Sequence, residues 1–133
     1  LWQLWSPTWR FDDAIFERSA AAFDNPDFVE VVIHSYRHRY GLVPGVPAVA
    51  DIEAALALQP SIAVPAITFD GTDDGVRPPA PASQHARHFS GPRSHVVLPG
   101  AGHNLPQERP GQFADAVLAL VEGAWPGRLI AGN

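Results

Sequence analysis

The sequence contains no cysteine, no methionine and no lysine, so all nine of its basic residues are arginine. Without cysteine the chain can form no disulfide bond and can use no thiolate in catalysis, and its redox compartment cannot be inferred. It also has no run approaching the roughly 20 apolar residues of a transmembrane helix. We therefore expect no membrane partner, and we take the cytoplasm as the default location.

The lack of methionine has a second consequence, because the chain begins with Leu1 rather than with an initiator methionine. The first residues, LWQLWSPTW, are rich in tryptophan and have the composition of a segment from the middle of a folded protein. We therefore expect this sequence to be a fragment, a processed chain or one part of a longer protein.

Charged residues are also few, and they do not cluster along the sequence. Charged residues make up 17% of the chain, the net charge is −5, and no acidic or basic block occurs. Nucleic acids and anionic membranes are recruited by clustered basic residues, so neither is an expected partner. A small-molecule substrate is compatible with this composition, and no residue pattern indicates a cofactor.

The first half of the chain is predicted to be helical. Asp12 and Asp13 offer capping carboxylates in front of an apolar stretch, and from Phe28 apolar residues recur at helical spacing. A short third helix is predicted over residues 51–56. No strand pattern occurs before Pro60, so we interpret residues 1–59 as one helical segment.

The second half of the chain alternates between strand and helix patterns. Residues 62–69 form a continuous apolar run that is typical of a strand buried on both faces, and a second strand is predicted over residues 94–98. Helices are predicted between and after them, over residues 83–89 and 107–124. This alternation indicates a parallel α/β sheet, which we assign to residues 60–133. Two strands are too few for stability, so the remaining strands must come from elsewhere, most simply from an upstream segment.

Polar and small residues follow both predicted strands. The turn after the first strand carries Asp70, Asp73 and Asp74, and the turn after the second strand ends in His103. Because the carboxyl ends of parallel strands meet at one edge of a sheet, we expect these groups to converge. A histidine at such an edge can take a proton from a nucleophile or from water, while a carboxylate on its other nitrogen fixes the tautomer. The three aspartates could also be simple turn formers.

Metal-binding interpretations of these residues are weak. The acidic turn fails the EF-hand pattern, because its third position is Thr72 and its twelfth is Pro81. His34 and His38 are four residues apart on a predicted helix, but no third ligand has a suitable spacing. We expect no metal and interpret the remaining histidines as polar surface or cap lining: His34, His38, His85, His88 and His95.

The two turns together resemble those of the α/β-hydrolase superfamily. The shared pattern is a strand ending in Gly-x-x-Asp, then a helix and a strand, then Gly-x-Gly-His, with the acid before the histidine. The run His-Asn-Leu-Pro-Gln-Glu-x-Pro, followed by a helix, is similar to the epoxide hydrolase and haloalkane or haloacetate dehalogenase branch. The resemblance implies the C-terminal part of such a sheet, preceded by part of a helical cap. The matching runs are Val64 to Gly75 and Pro99 to Glu108.

The resemblance also implies roles for individual residues. His103 stands at the place of the catalytic histidine, and Asp74 at the place of its acidic partner, with Asp73 as the alternative. We therefore expect the Asp74 carboxylate to lie within hydrogen-bond reach of His103. Tyr36 stands in a segment similar to the one whose tyrosine holds and protonates the epoxide oxygen in epoxide hydrolases. Tyr36 could equally be a packing residue, and Tyr40 is the second candidate.

The expected nucleophile is missing, because no Gly-x-Ser-x-Gly motif occurs in the sequence. In the resembled superfamily this element precedes the cap, so we expect a preceding segment or a second chain to supply it, together with the remaining strands. The resemblance implies a hydrolase that cleaves a small organic substrate through a covalent ester, with His103 activating the hydrolytic water. The alternatives are a serine esterase and a non-catalytic homologue that acts as a binding module.

Overall fold

The computed structural model describes residues 1–123, which divide into two compact units. One unit is formed by Leu1–Trp9 together with the chain from Pro60, and the other by Arg10–Gln59. The helices are α1 (Trp2–Trp5), α2 (Asp13–Ala20), α3 (Phe28–Arg39), α4 (Ala50–Ala57), α5 (Ala82–Ala86), α6 (Leu105–Glu108) and α7 (Pro110–Val121). The strands are β1 (Ala66–Gly71) and β2 (Arg93–Leu98), and short 3-10 turns occupy Ala21–Asp24 and Pro47–Val49.

The unit Arg10–Gln59 is built from helices, as the sequence predicts. Helix α2 begins after Asp12, whose Oδ1 accepts a hydrogen bond from the amide of Ile15 at 2.8 Å. This is the capping contact expected of an aspartate at that position. Helix α3 ends at Arg39, and Gly41 follows with a φ of 69°, the left-handed conformation that glycine adopts just beyond a helix.

The sheet of the other unit consists of β1 and β2 in parallel, which confirms the predicted α/β arrangement. Strand β1 begins later than predicted, because Pro65 has no amide N–H for the ladder. Ile62, on the far side of that proline, keeps an isolated bridge to Phe89. The strand also continues beyond the predicted end, so that Asp70 belongs to the strand and not to the turn. The register runs from Ala66 opposite Arg93 to Gly71 opposite Leu98.

The C-terminal helix predicted over residues 107–124 is divided into α6 and α7. Pro110 lacks an amide hydrogen and disfavours a helical conformation in the preceding residue. Arg109 accordingly has a φ of −134° and a ψ of 57°. Helix α7 then packs on the sheet, with the rings of Phe113 and Phe69 6.1 Å apart between centroids. Residue 124, the predicted end of the helix, lies outside the described residues.

The apolar core of the described residues is small. Its buried apolar residues are Leu98, Ala101, Ala116 and Ala119, whereas many larger apolar side chains are exposed. Most of strand β1 is half-buried rather than covered on both faces, so that expectation is wrong for this structure. The physical reason is that, among residues 1–123, β1 has β2 as a neighbour on one side only. In the same residues no helix is long and apolar enough to cross a membrane.

The division of the chain differs from the predicted one at its start. The sequence assigns residues 1–59 to one helical segment, but Leu1–Trp9 belongs to the sheet unit. The backbone carbonyl of Trp5 explains this, because it accepts hydrogen bonds from the amides of Gly75 at 3.0 Å and His103 at 3.1 Å. The change from the helical unit back to the sheet unit falls between Gln59 and Pro60.

Candidate active site

His103 and Asp74 are in direct contact at the carboxyl edge of the sheet. The Nδ1 atom of His103 lies 2.9 Å from Oδ2 of Asp74, so the hydrogen bond expected from the sequence is present. An ionised carboxylate can only accept hydrogen bonds, so Nδ1 carries the hydrogen. In the neutral ring the Nε2 atom then keeps its lone pair, which is the form that a general base needs.

The carboxylate of Asp74 is held in place by the backbone that follows it. Its Oδ1 atom accepts hydrogen bonds from the amides of Val76 at 2.7 Å and Arg77 at 2.8 Å. Burial by itself raises the pKa of Asp74, but the hydrogen bonds from Arg77, His103 and Val76 outweigh it and leave the pKa below its ordinary value. Asp74 therefore remains an acceptor at neutral pH and orients the imidazole.

The two side chains differ in their exposure to solvent. The side chain of His103 is 39% exposed, whereas that of Asp74 is 11% exposed. The ring of Trp5 packs edge-on against the imidazole, with the centroids 5.5 Å apart. The acid thus lies behind the histidine, and the imidazole is accessible to a substrate or a water molecule.

Glycines allow the two loops to approach closely. A Cβ atom on Gly71 would lie 2.2 Å from the carbonyl oxygen of Ala101, and one on Gly102 would lie 2.5 Å from Cα of Ser6. Gly100 has a φ of 67°, in the left-handed region that favours glycine. The sequence predicts a tight bend before His103. In the structure, Gly71 lies against Ala101 and Gly102 against Ser6 so closely that neither position has room for a side chain.

The other two candidate acids have different partners. The Asp73 carboxylate accepts a hydrogen bond from the Thr72 hydroxyl at 2.8 Å, while its amide donates to the Ala101 carbonyl at 2.9 Å. Asp70 lies on β1, where Oδ2 is 3.4 Å from Nε2 of His95. Among the three aspartates, Asp74 is therefore the one that the structure pairs with His103.

Asp73 also stands at the centre of a Gly-x-Asp-x-Gly run that extends from Gly71 to Gly75. A nucleophile of the α/β-hydrolase type is placed on a sharp turn from a strand directly into a helix. After β1 the chain instead passes through ten non-helical residues before α5 begins at Ala82. This geometry disfavours Asp73 as a nucleophile.

The interpretation of His95 as polar surface is wrong. Its side chain is only 10% exposed, and the ring of His85, on α5, lies 6.5 Å from its ring between centroids. Its Nδ1 atom is 3.0 Å from the Thr68 hydroxyl. The contact of Nε2 with Asp70 at 3.4 Å lacks the geometry of a hydrogen bond, so this nitrogen has no hydrogen-bond partner among residues 1–123.

Two residues that hold the His103 loop were missed by sequence reasoning. Ser6 is 1% exposed, and its hydroxyl oxygen accepts from the amide of His103 at 3.0 Å. No motif marks Ser6 in the sequence. Glu108 is 8% exposed and accepts from the amide of Asn104 at 3.0 Å. Glu108 stands four residues after Asn104, the N-cap of α6, whereas the capping-box pattern places its acid three residues after the cap, so no standard spacing marks this contact in the sequence.

Tyr36 lies on α3, in the unit Arg10–Gln59, and is 50% exposed. Tyr40 follows that helix and is 68% exposed. The roles inferred for them from the resemblance stay predictions. In the same unit His34 and His38 stack with their ring centroids 6.3 Å apart, and His38 contacts Glu53 at 3.2 Å. Across residues 1–123 no group of three potential ligands is arranged to hold a metal ion.

Two similar proteins bear the name epoxide hydrolase. Epoxide hydrolase A of Mycobacterium tuberculosis (strain ATCC 25618 / H37Rv) is 40% identical over 63 residues, which are 47% of this chain and 20% of that protein. A crystal structure from Klebsiella pneumoniae subsp. pneumoniae MGH 78578, provisionally named an epoxide hydrolase, matches with a TM-score of 0.84 and 45% identity. That match covers 91% of this chain and 40% of the other. No protein-family model matches the chain.

The parallel strands and the TM-score of 0.84 define the class of fold, which is a portion of an α/β-hydrolase. Within that class the chain is epoxide-hydrolase-like, as the run from His103 to Pro110 predicts. The chain spans less than half the length of either similar protein.

Proposed function

We propose that this chain is the histidine-and-acid portion of an enzyme that hydrolyses a small organic substrate, with an epoxide as the expected class. The observation that carries this proposal is the hydrogen bond of 2.9 Å between His103 and Asp74. The similarity to two proteins named as epoxide hydrolases supports the substrate class. The cap assignment of residues 1–59, corrected to Arg10–Gln59 for the compact unit, belongs to the same proposal.

The proposed reaction has two steps. An aspartate outside these residues attacks an epoxide carbon, the carbon–oxygen bond of the ring breaks, and the oxygen receives a proton from Tyr36. This step gives an ester between the aspartate and the substrate. In the second step Nε2 of His103 takes a proton from water, and the resulting hydroxide attacks the ester carbonyl. The diol leaves and the aspartate is regenerated. The proton that His103 took from water is returned, through solvent, to the Tyr36 phenolate left by the first step, so that both side chains recover their starting forms.

Asp74 makes the second step possible by stabilising the imidazolium that forms on His103. Its lowered pKa keeps the carboxylate ionised, so the pair carries compensating charges when the ring is protonated. A preorganised group of this kind contributes roughly 10²- to 10⁴-fold in general-base catalysis.

The nucleophile is proposed to lie outside the 133 residues, in a preceding segment or in a second chain. The absence of a Gly-x-Ser-x-Gly motif and the unsuitable position of Asp73 support this proposal. Strands from that source would pair with the edge of β1 that has no neighbouring strand among residues 1–123. They would also cover many of the exposed apolar side chains.

A serine esterase is the second candidate, because the same pair of His103 and Asp74 serves that mechanism. The two differ in the first step. A carboxylate nucleophile is already ionised and needs no base, whereas a serine hydroxyl must lose its proton to histidine as it attacks. His103→Gln should therefore trap an alkyl-enzyme in the first mechanism and prevent any adduct in the second.

The test is intact-protein mass spectrometry of the complete protein carrying His103→Gln, incubated separately with an epoxide, a haloacetate and a p-nitrophenyl ester. We expect a stable adduct with the mass of the added epoxide. An adduct with the haloacetate alone would assign the dehalogenase reaction instead. If no adduct forms and the wild-type protein cleaves only the ester, the aspartate mechanism is rejected in favour of serine.

The role of Tyr36 is tested in the same assay. Tyr36→Phe removes the proton donor and should slow adduct formation with the epoxide, while ester cleavage stays nearly unchanged. Tyr40→Phe is the matched control, because Tyr40 is the second candidate for the proton donor and loses the same hydroxyl group. An equal rate of epoxide opening in Tyr36→Phe and wild type would remove Tyr36 from the mechanism.

A further inference from the structure

The carboxylate of Glu108 is buried next to the residue that performs the proposed chemistry. Glu108 is 8% exposed, and each of its oxygens accepts a different backbone hydrogen bond. Oε2 accepts from the amide of Gly102 at 2.7 Å, and Oε1 accepts from the amide of Asn104 at 3.0 Å. The two amides belong to the residues on either side of His103, so one carboxylate spans the backbone that carries the imidazole.

Burying a carboxylate costs free energy unless its oxygens accept hydrogen bonds. Because both oxygens of Glu108 accept one, the site requires a side chain with two acceptors. Glutamate is the residue that offers two acceptor oxygens at this distance from the backbone. A glutamine in the same place would present one oxygen and one NH₂ group, and the NH₂ group would face an amide that also donates. The site therefore distinguishes a carboxylate from its amide.

Ser6 holds the same loop from the opposite side. Its hydroxyl oxygen accepts from the amides of His103 at 3.0 Å and Asn104 at 3.3 Å, and from Nδ2 of Asn104 at 3.2 Å. Together, Ser6 and Glu108 accept from the amides of three consecutive residues. The backbone at His103 therefore has little freedom to move, and the position of the ring depends on its own side-chain torsions and on Asp74.

We propose that Glu108 is a positioning residue that sets the direction of the His103 imidazole. This inference rests on the proposed function for its catalytic consequence. By fixing the backbone on both sides of His103, Glu108 keeps Nδ1 on Asp74 and directs Nε2 towards the position of the ester. A displacement of about 1 Å at such a group can lower a rate by roughly 100-fold.

The first measurement is direct and independent of the substrate. In the complete protein, the hydrogen-bonded Nδ1 proton of His103 is observed by nuclear magnetic resonance and assigned by its loss in His103→Gln. We expect Glu108→Gln to shift and broaden this resonance, because the loop that holds the ring is loosened. The control is Glu122→Gln, at an exposed glutamate that follows α7, which should leave the resonance unchanged.

The second measurement separates positioning from a purely structural role. Single-turnover experiments with an epoxide give the rate of ester formation and the rate of ester hydrolysis, normalised to the fraction of protein that forms the ester. We expect Glu108→Gln to slow hydrolysis by about 10-fold or more, while ester formation stays within about twofold of wild type. The ester should then accumulate in this variant and not in Glu122→Gln.

Normalisation to the ester-forming fraction keeps the result interpretable if some of the variant is unfolded. Wild-type values for both the His103 resonance and the hydrolysis rate in Glu108→Gln would overturn the proposal, even if less protein folds. An equal slowing of both steps would also overturn it, since that pattern indicates general disruption. If His103→Gln forms no ester at all, the proposed aspartate mechanism fails, and the resonance comparison alone then decides the positioning role.

Discussion

Among residues 1–123, the sheet unit contains two aspartate–histidine contacts, and they differ in distance, exposure and hydrogen bonding. Asp74 and His103 meet on loops with a distance of 2.9 Å, whereas Asp70 and His95 lie on paired strands with a distance of 3.4 Å. The His103 side chain is 39% exposed and that of His95 is 10% exposed. A neighbouring aspartate and histidine in a parallel sheet are therefore not sufficient to define a catalytic site.

The comparison shows that the hydrogen bonds to the aspartate determine whether it can orient its histidine for catalysis. Two backbone amides and the imidazole satisfy the carboxylate of Asp74. Asp70 accepts a longer hydrogen bond, from the amide of Ala80 at 3.3 Å. The first pair presents an oriented and accessible imidazole, whereas both side chains of the second pair are largely buried.

The largest expected difference between the pairs concerns the acids. Asp74→Asn should lower the steady-state rate of hydrolysis by roughly 10²- to 10⁴-fold, because an amide neither selects the His103 tautomer nor stabilises its protonated form. Asp70→Asn should change the rate by less than about threefold, since catalysis in the proposed mechanism does not involve His95. Steady-state kinetics of both variants of the complete protein, with circular dichroism as a check of folding, make the comparison. A comparable loss in Asp70→Asn would contradict the assignment.

A smaller effect is expected from the glycine that lets the two loops meet. A Cβ atom on Gly71 would lie 2.2 Å from the carbonyl oxygen of Ala101, so Gly71→Ala should lower the free energy of unfolding by about 1–3 kcal/mol. At Gly111 in α7 a Cβ atom would meet no atom of residues 1–123 within 4 Å apart from its own helix backbone and chain neighbours, and Gly111→Ala should be neutral or stabilising by up to about 1 kcal/mol. Denaturant unfolding of both variants measures the difference, and equal stabilities would show that the close approach is not required.

The smallest expected effect is the pH dependence that Asp74 contributes. Its pKa is lowered in the folded protein, so its ionisation stabilises the fold fully above the ordinary carboxyl pKa of 3.8. This stabilisation is lost as the pH falls through the lowered pKa. As the pH falls below about 5, the difference in unfolding free energy between wild type and Asp74→Asn should therefore decrease. A difference that grows over this range would show that the pKa of Asp74 is raised instead.

The features predicted from sequence are those set by local patterns. An apolar run bounded by a glycine-rich acidic turn indicates a buried strand, and its repetition indicates a parallel pair. The meeting of Asp74 and His103 follows from that topology, because both turns leave the same edge of the sheet. The choice of Asp74 over Asp70 and Asp73 depended on resemblance, and the structure gives its physical basis in the amides of Val76 and Arg77.

The features that could not be predicted depend on contacts that are distant in sequence. Ser6 is 97 residues from His103, and its burial is apparent only when the two segments are packed together. The burial of His95 has a similar cause, because alternation along β2 gives two faces without showing which of them is packed against other residues. The start of β1 was misplaced because the apolar run continues through Pro65, and the missing amide is a backbone property that hydrophobicity does not report.

The helical unit Arg10–Gln59 is inserted between two segments of the sheet unit, since Leu1–Trp9 and the chain from Pro60 belong together. In polymer terms the insert is a closed loop, and the entropy of closing a loop grows only with the logarithm of its length. Doubling the length costs about 0.6 kcal/mol. Evolution or engineering can therefore lengthen, shorten or exchange this insert at little thermodynamic cost to the sheet unit, whereas one added carbon atom at Gly71 would meet a backbone carbonyl.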